Sequence, residues 1–181
     1  VLATFHGRLD WPFAAAALAA APPDTAVAIS RAQAATHPDV RWAGVVHNGL
    51  ALAAPPPDAV RGDALCFVGR VAPEKGIIEA LEIARLAGRR LRIAARIGTL
   101  PADRDYAASV FRPALATHDV EFLGELGETD RDRLLAESYA CLMPGAWPEP
   151  FGLVALESLA CGTPVLARPV GGLREIIRPG R

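Results

Sequence analysis

The feature that most constrains the fold is the alternation of short apolar or β-branched runs with helical stretches along the whole chain. Such runs are typical of buried strands, and the stretches between them carry helical spacing and capping residues. A repeated strand–helix–strand order favours parallel pairing, with helices on both faces of the sheet. The sequence therefore predicts an α/β protein built on doubly wound parallel sheets.

The expected elements follow from this alternation. Strands are expected at 1–5, 27–29, 42–46, 65–68, 91–95, 120–123, 140–143 and 165–167. Helices are expected from about 13, from 31 to about 36, at 77–87, 104–116, 129–137 and 151–162, and from 173. Ser30 is suited to begin a helix and Gly88 to end one. The side chains expected to face the core from the helix at 77–87 are Ile77, Ile78, Leu81, Ala84 and Leu86.

A proline-rich stretch, AAPPPD, interrupts the alternation and predicts a domain boundary. Consecutive prolines keep a chain extended, so this stretch suits a stiff linker. We place the linker at 55–63, between a first domain at 1–54 and a second at 64–181. The chain opens in a strand without an initiator Met and closes as another turn begins, so we expect both ends to be cut.

Composition excludes several classes of protein. The chain has 181 residues, of which 51% are hydrophobic and 22% charged, so it can bury a sizeable core and is not disordered. A net charge of −1 gives no broad attraction to nucleic acid or to an anionic membrane. The alanine-rich run at 14–21 is too short to span a bilayer. Cys66, Cys141 and Cys161 are too scattered for a disulfide scaffold or zinc site, and predict buried thiols in a cytoplasmic protein.

Four segments follow predicted strands at the edge where open α/β sheets bind ligands. They are GRVAPEKG at 69–76, Arg96-Ile97-Gly98, the segment that contains Glu149 and Glu157, and PVGGL at 169–173. In the first, Gly69 permits close backbone approach, Arg70 can fork onto phosphate oxygens, and Lys75 supplies a point charge. A structural alternative is that Arg70 and Lys75 are loop charges that pair with Glu74.

Two glutamates, Glu149 and Glu157, are separated by seven residues. Glu149 lies between prolines, before a helix whose free N–H groups suit a phosphate. Glu157 lies on the apolar stripe of that helix, which is costly unless something donates to the carboxylate. The pattern favours a phosphorylated, hydroxyl-rich ligand such as a nucleotide sugar. Alternatively, Glu157 forms a structural ion pair with an arginine such as Arg174.

Weaker signals complete the set. His6 ends a strand at the same sheet edge and precedes Gly7, although a structural role is also open for it. The glycines of PVGGL expose backbone N–H groups or simply form a turn. The pairs in Asp103-Arg104-Asp105 and Asp130-Arg131-Asp132 have a spacing that can hold a divalent ion, but neither directly follows an apolar strand. We therefore expect no metal site.

Taken in order, these motifs resemble the retaining glycosyltransferases of the GT-B fold, in particular family 4, the glycosyl transferases group 1. The matching stretches are TFHG, AISRAQ, VVHNGL, FVGRVAPEKG, VEFLGEL and EPFGLVALESLACGTPVLARPVGGLREII. The resemblance implies two Rossmann-like domains. Residues 1–54 correspond to a remnant of the N-terminal, acceptor-side domain, whose sheet is only partly present, and 64–181 to a nucleotide-sugar-binding domain that is incomplete at its end.

The resemblance also implies roles for individual residues. Arg70 and Lys75 clamp the donor diphosphate beside Gly69, and Glu157 accepts the ribose hydroxyls. Glu149 binds the transferred sugar, together with the backbone N–H groups of Phe151, Gly152 and Leu153. His6 faces that sugar, Gly7 lets the donor approach, Arg96 borders the base, and Gly171 offers its N–H group. A departure concerns Arg96, because AARIG lacks the glycine that the family more often has before the basic residue.

The implied activity is transfer of a hexose-type sugar from a UDP-, GDP- or ADP-sugar to a sugar, lipid or natural-product acceptor in carbohydrate biosynthesis. Family members retain the anomeric configuration and need neither a metal nor a covalent cofactor. One alternative is a non-catalytic nucleotide-sugar-binding module, or one half of a split GT-B enzyme. A GT-B epimerase would lack EPFG, and a phosphorylase would show a pyridoxal phosphate lysine site; neither pattern is seen. Nucleic acid is not an expected partner, and no integral membrane segment is expected.

Overall fold

The computed structural model describes residues 1–51 and 56–178. These divide into two compact units. The first comprises Val1–Leu50, Pro148–Leu153 and the described residues from Pro169, and the second comprises the described residues within Ala51–Trp147 together with Val154–Arg168. The predicted end of the first domain at 54 and the first linker residue, Pro55, lie outside the described residues, and the domain bounds stay a prediction.

The first unit contains a three-stranded parallel sheet. Its strands are β1 (Ala3–Phe5), β2 (Ala26–Ala28) and β3 (Trp42–Val45), in the order β1-β2-β3. Its helices are α1 (Pro12–Ala20), α2 (Arg31–Ala35) and α8 (Leu173–Ile176). Leu9, Ala14, Leu18 and Ala26 form its buried cluster. Ser30 begins α2 as predicted, since its hydroxyl accepts the Gln33 N–H at 2.8 Å.

The second unit contains a five-stranded sheet. Its strands are β4 (Leu65–Val71), β5 (Leu91–Ile97), β6 (Val120–Gly124), β7 (Ala140–Met143) and β8 (Val165–Ala167). Its helices include α3 (Ile77–Leu86), α4 (Pro101–Tyr106), α5 (Arg112–Leu115) and α6 (Glu128–Glu137). Helix α7 (Leu153–Ala160) also belongs to the second unit, except for its first residue, Leu153, which belongs to the first. A wider π-helical segment, Ala107–Phe111, joins α4 to α5, and a 3₁₀ turn, Pro73–Lys75, precedes α3.

The strands of this sheet lie in the order β6-β5-β4-β7-β8, so the direction in which the chain adds successive strands changes between β4 and β7. All four pairings are parallel. The chain winds outward from β4 through β5 to β6, and then continues on the other side of β4 with β7 and β8. Neighbouring strands whose connections leave in opposite directions define a topological switch point, where the following loops diverge and leave a crevice.

Apolar side chains cover both faces of this sheet. On one face Leu65 and Phe67 of β4 pack with Ile77 and Leu81 of α3. On the other, Cys66 packs with a cluster that includes Leu134 and Leu135 of α6, together with Cys141 and Cys161. The three cysteines are buried and free, as predicted. Helices on both faces of an all-parallel sheet confirm the doubly wound α/β fold.

Three local predictions are wrong. Strands β4 and β5 continue to Val71 and Ile97, because their in-register pairing persists through Gly69 and Arg70. The segment predicted as a loop after 95 therefore begins within a strand. In α3 the buried stripe is Ile77, Ala80, Leu81 and Ala84. Leu86 lies off this stripe and is 75% exposed.

Candidate functional site

The loops that follow β4 and β7 meet at the switch point. Gly76, between the 3₁₀ turn and α3, has a φ of +73°, and a Cβ there would lie 2.7 Å from the Gly145 nitrogen. A Cβ on Gly145 would lie 2.6 Å from the Glu74 carbonyl oxygen. Only hydrogen fits at either position, so the two glycines allow the loops to approach each other closely.

Arg70 and Lys75 both lie at this sheet edge. Arg70 is the penultimate residue of β4, and its Nη2 donates to the Glu74 Oε1 at 2.8 Å. This is the ion pair expected under the structural alternative. A guanidinium has five N–H donors, and one such contact leaves others able to meet an anion. Lys75 closes the 3₁₀ turn and is partly buried.

Arg96 lies beside Arg70 on the neighbouring strand. The two residues are direct register partners across β4 and β5, so their side chains leave the same face of the sheet. The Arg96 side chain is exposed. A contact between Arg96 and a base therefore stays a prediction, although its position at the ligand-binding edge agrees with it.

Glu157 lies on α7, and its side chain is only 13% exposed. Its ionic partner is Arg131 of α6, whose Nη1 lies 3.2 Å from the Glu157 Oε1. This is the ion pair with an arginine expected under the structural alternative, but the arginine named there as an example is not the partner, because the Arg174 Nε donates to the Pro169 carbonyl. Burial raises the pKa of Glu157, Arg131 lowers it, and the nearby Asp132 carboxylate raises it again, so the net result is a raised pKa.

In the first unit, the Gly171-Gly172 turn packs against the backbone that carries Glu149. Gly171 has a φ of +55°, and a Cβ there would lie 2.6 Å from the Glu149 nitrogen. The Gly172 N–H donates to the Glu149 carbonyl at 2.7 Å. The two glycines therefore form a turn, as one alternative held, and this turn supports the segment at 148–153.

Phe151 and Gly152 have fixed conformations in the same segment. Phe151 is 3% exposed, and its ring centroid lies 5.4 Å from that of His47. Gly152 has a φ of +105°, a conformation reserved for glycine, and a Cβ there would clash with Leu173. The Ser30 hydroxyl donates to the Pro150 carbonyl at 2.6 Å. Leu153 begins α7 and is exposed.

His6 and Gly7 follow β1 in the first unit. The His6 Nδ1 lies 3.0 Å from the Asn48 Oδ1, and both His6 and Gly7 are exposed. The Gln33 amide nitrogen donates to the Phe5 and Gly7 carbonyls at 2.9 Å each. These contacts hold the end of β1 beside α2.

The predicted residues thus fall into two groups. Gly69, Arg70, Lys75, Arg96 and Glu157 belong to the second unit, and His6, Gly7, Glu149, Phe151, Gly152, Leu153 and Gly171 to the first. Their assigned roles stay predictions. Sequence reasoning missed three contributors: Gly145, Arg131 and the Ser30–Pro150 contact. Gly145 carried a usable signal, because it follows a predicted strand, whereas Arg131 stood out only as the centre of an Asp-Arg-Asp motif with the spacing for a divalent ion.

Two further observations concern the described residues alone. Within 1–51 and 56–178, no three His, Cys, Asp or Glu side chains gather in a way that would hold a metal ion. In the same ranges, no helix is long and apolar enough to cross a membrane. In the second Asp-Arg-Asp motif, the Asp132 carboxylate pairs with its neighbour Arg131, with 2.8 Å between Asp132 Oδ1 and Arg131 Nη2.

The five-stranded sheet, its switch point and the basic side chains beside it define a Rossmann-like α/β protein. Comparison with known sequences then fixes the family. The profile of the family described as "Glycosyl transferases group 1" matches residues 58–181. The chain belongs to this family of glycosyltransferases.

Curated relatives agree with this assignment. The chain is 36% identical over 146 residues to a glycogen synthase of Mycobacterium tuberculosis, which covers 76% of this chain and 34% of the relative. It is 36% identical over 132 residues to a D-inositol 3-phosphate glycosyltransferase of Salinispora tropica, covering 65% of this chain and 26% of the relative. The chain therefore spans about a third or less of the length of these relatives.

Solved structures agree on the fold. AviGT4, a glycosyltransferase involved in avilamycin A biosynthesis, matches 84% of this chain and 46% of its own, with a TM-score of 0.69 and 32% identity. The Anabaena protein HepE in complex with UDP matches 98% of this chain and 55% of its own, with a TM-score of 0.73 and 23% identity. These likenesses confirm the GT-B type of α/β fold.

Proposed function

We propose that this chain carries the donor-binding residues of a retaining glycosyltransferase. The donor is a nucleoside-diphosphate sugar with a hexose-type sugar, and transfer to the acceptor proceeds without a metal or a covalent cofactor. The reaction belongs to carbohydrate biosynthesis in the cytoplasm. The acceptor is a sugar, a lipid or a natural product.

The observation that carries the proposal is the arrangement at the switch point of the second unit. Arg70 lies near the end of β4 and Lys75 in the turn that follows, and the loop after β7 approaches that turn through Gly145. Ligands of open α/β sheets bind at such a crevice. Two cations there suit a diphosphate, and the buried Glu157 carboxylate suits the hydroxyls of a ribose.

The chemistry assigned to these residues is mainly electrostatic. As the bond between the sugar and the diphosphate breaks, negative charge grows on the leaving group, and Arg70 and Lys75 stabilise it. The departing diphosphate takes the proton of the acceptor hydroxyl on the same face of the sugar, which retains the configuration. Glu149 and the N–H groups of Phe151, Gly152 and Leu153 hold the sugar in the reactive orientation.

We assign roles to the remaining predicted residues as well. His6 contacts the transferred sugar, and Gly7 leaves room for it. Arg96 borders the base, while Gly69 and Gly171 allow close approach of the backbone. Nucleotides accompany two solved structures that share this fold: HepE is described in complex with UDP-glucose, and a starch synthase IV of Arabidopsis thaliana is described as bound to ADP.

The test is calorimetric titration of this chain with UDP, GDP and ADP. We expect one nucleotide to bind, and we expect Glu157→Ala to lose that binding by about tenfold or more. Glu82→Ala is a matched control, because Glu82 lies on α3 and its side chain is 47% exposed. A folded chain that binds none of the three would contradict the proposal. Binding without sugar transfer would instead support a non-catalytic module.

A further inference from the structure

The guanidinium of Arg131 lies among three carboxylates of the second unit, those of Asp132 and Glu157 and, at 3.9 Å, that of Glu128. Its Nε and Nη2 donate to the Asp132 Oδ1 at 3.1 and 2.8 Å. Its Nη1 faces the Glu157 Oε1 at 3.2 Å. Because the Asp132 side chain fixes one edge of the planar fork, the other edge is oriented toward Glu157.

This cluster is partly removed from water. The side chains of Arg131, Asp132 and Glu157 are 23%, 20% and 13% exposed. Ion pairs on an open surface contribute little, whereas a partly buried pair orients its members and resists screening by salt. The nearest contact of the ion pair is through Oε1 of Glu157.

From this geometry we propose that Arg131 is a positioning residue for nucleotide recognition, which keeps the Glu157 carboxylate ionised and oriented toward the ribose hydroxyls. The inference rests on the proposed function, because it takes Glu157 as the acceptor for the ribose. Arg131 itself touches no part of the nucleotide in this assignment. It acts only through Glu157.

The charges around Glu157 explain why a cation is needed. The carboxylates of Asp132 and Glu128, both on α6, oppose its ionisation, as does its own burial. The thiols of Cys141 on β7 and Cys161 after α7 lie near enough to feel its charge. Arg131 is the cation that offsets these effects. Without it, the carboxyl group holds its proton to higher pH.

Protonation of Glu157 would weaken ribose binding for a chemical reason. An ionised carboxylate accepts from two hydroxyls at once, whereas a protonated one has lost part of its accepting capacity. Nucleotide affinity should therefore fall as the pH is lowered through the titration of Glu157. Removal of Arg131 should move that fall to higher pH.

The experiment compares a ribonucleotide with its 2′,3′-dideoxy analogue (the deoxy analogue), which lacks both hydroxyls assigned to Glu157. The diphosphate among UDP, GDP and ADP that binds wild type is titrated into Arg131→Met, Arg131→Lys and Arg133→Met. Arg133 is the matched control, since it lies on α6 and pairs with Asp58 and Glu137. Arg131→Met should weaken ribonucleotide binding about tenfold and leave the deoxy analogue nearly unchanged. Arg131→Lys should recover part of the loss, and Arg133→Met should resemble wild type.

The outcomes separate this inference from the proposed function. If wild type binds no nucleotide, the proposed function fails and this inference fails with it. If wild type binds and Arg131→Met shows the same affinity, preference for ribose and pH profile, only the role of Arg131 is wrong. An equal loss for both nucleotides would mean general structural damage. If Arg131→Met does not fold, the single variant Glu157→Gln is compared with the double variant Glu157→Gln/Arg131→Met. Because Arg131 acts only through Glu157, the two should then bind the nucleotide equally, and a further loss in the double variant would contradict the inference.

Discussion

At the scale of single residues, the least ordinary side chain is Glu157. A carboxylate that is 13% exposed has lost most of its hydration, and one partner, Arg131, returns only part of the lost free energy. Folding therefore disfavours the charged form, as the raised pKa shows. Such a residue is expected to be retained for binding rather than for stability.

A measurable consequence is that Glu157→Gln should stabilise the protein at neutral pH. The folded pKa of Glu157 lies above its ordinary value of 4.5, so its favourable contribution is present below that value and is lost as the pH rises through the folded pKa. We expect a gain of about 1 kcal/mol in the free energy of unfolding at pH 7, and little difference at pH 4. Urea unfolding at both pH values measures this.

The control for that experiment is Glu125→Gln, at an exposed site directly after β6. This change should leave the free energy of unfolding almost unaltered. A loss of stability in Glu157→Gln at pH 7 would show that the ion pair with Arg131 contributes more than burial costs.

At the scale of elements, the contact between the loops after β4 and β7 depends on glycine. Gly76 needs both a left-handed backbone and room for the backbone of Gly145. Gly88, which ends α3, needs only the left-handed backbone, since its φ is +62°. An added Cβ there would meet nothing within 4 Å. The two positions thus separate backbone strain from steric overlap.

We predict that Gly76→Ala is far more damaging than Gly88→Ala. The strain of a left-handed alanine costs about 1 kcal/mol at Gly88. At Gly76 the overlap with Gly145 is added, for a total of about 3 kcal/mol or more. Thermal and urea unfolding of the two variants give the comparison. Equal losses would mean that the loops can separate at little cost, and the close contact would not be needed for the fold.

The sequence predicted most elements of both sheets, because hydrophobic periodicity, Ser30 and Gly88 are local signals. It did not predict the ends of β4 and β5, since the length of a strand is decided by the partner to which it hydrogen-bonds. It predicted Glu157 as costly to bury but not Arg131 as its partner. That contact joins α6 to α7 and has no trace in the spacing of either helix.

At the scale of the whole molecule, the first unit is assembled from three separate parts of the chain. Glu175, near the end of the described chain, accepts the N–H groups of Arg31 and Ala32 at 3.1 and 2.9 Å. Its Oε2 also lies 3.0 Å from the His47 Nε2. Burial raises the pKa of Glu175, but these hydrogen bonds outweigh it and hold the pKa below its ordinary value.

The first unit should therefore lose stability in acid, and Glu175→Gln should reduce that loss. A lowered folded pKa means that the contribution is present above the ordinary value of 4.5 and is lost as the pH falls through the folded pKa. Trp147 belongs to the second unit, so in a Trp147→Phe background the fluorescence of Trp11 and Trp42 reports on the first unit during unfolding between pH 7 and pH 3. Glu79→Gln, at an exposed site on α3, should keep the pH dependence of wild type. An unchanged slope in Glu175→Gln would contradict the assignment.

The division of the first unit also sets the order in which the protein can be completed during synthesis. β1, β2 and β3 are made before the second unit, but residues 148–153 and those from 169 are made only after most of it. At ordinary rates of translation this delay is on the order of ten seconds. For that time the nascent first sheet lacks the two later segments that complete its unit.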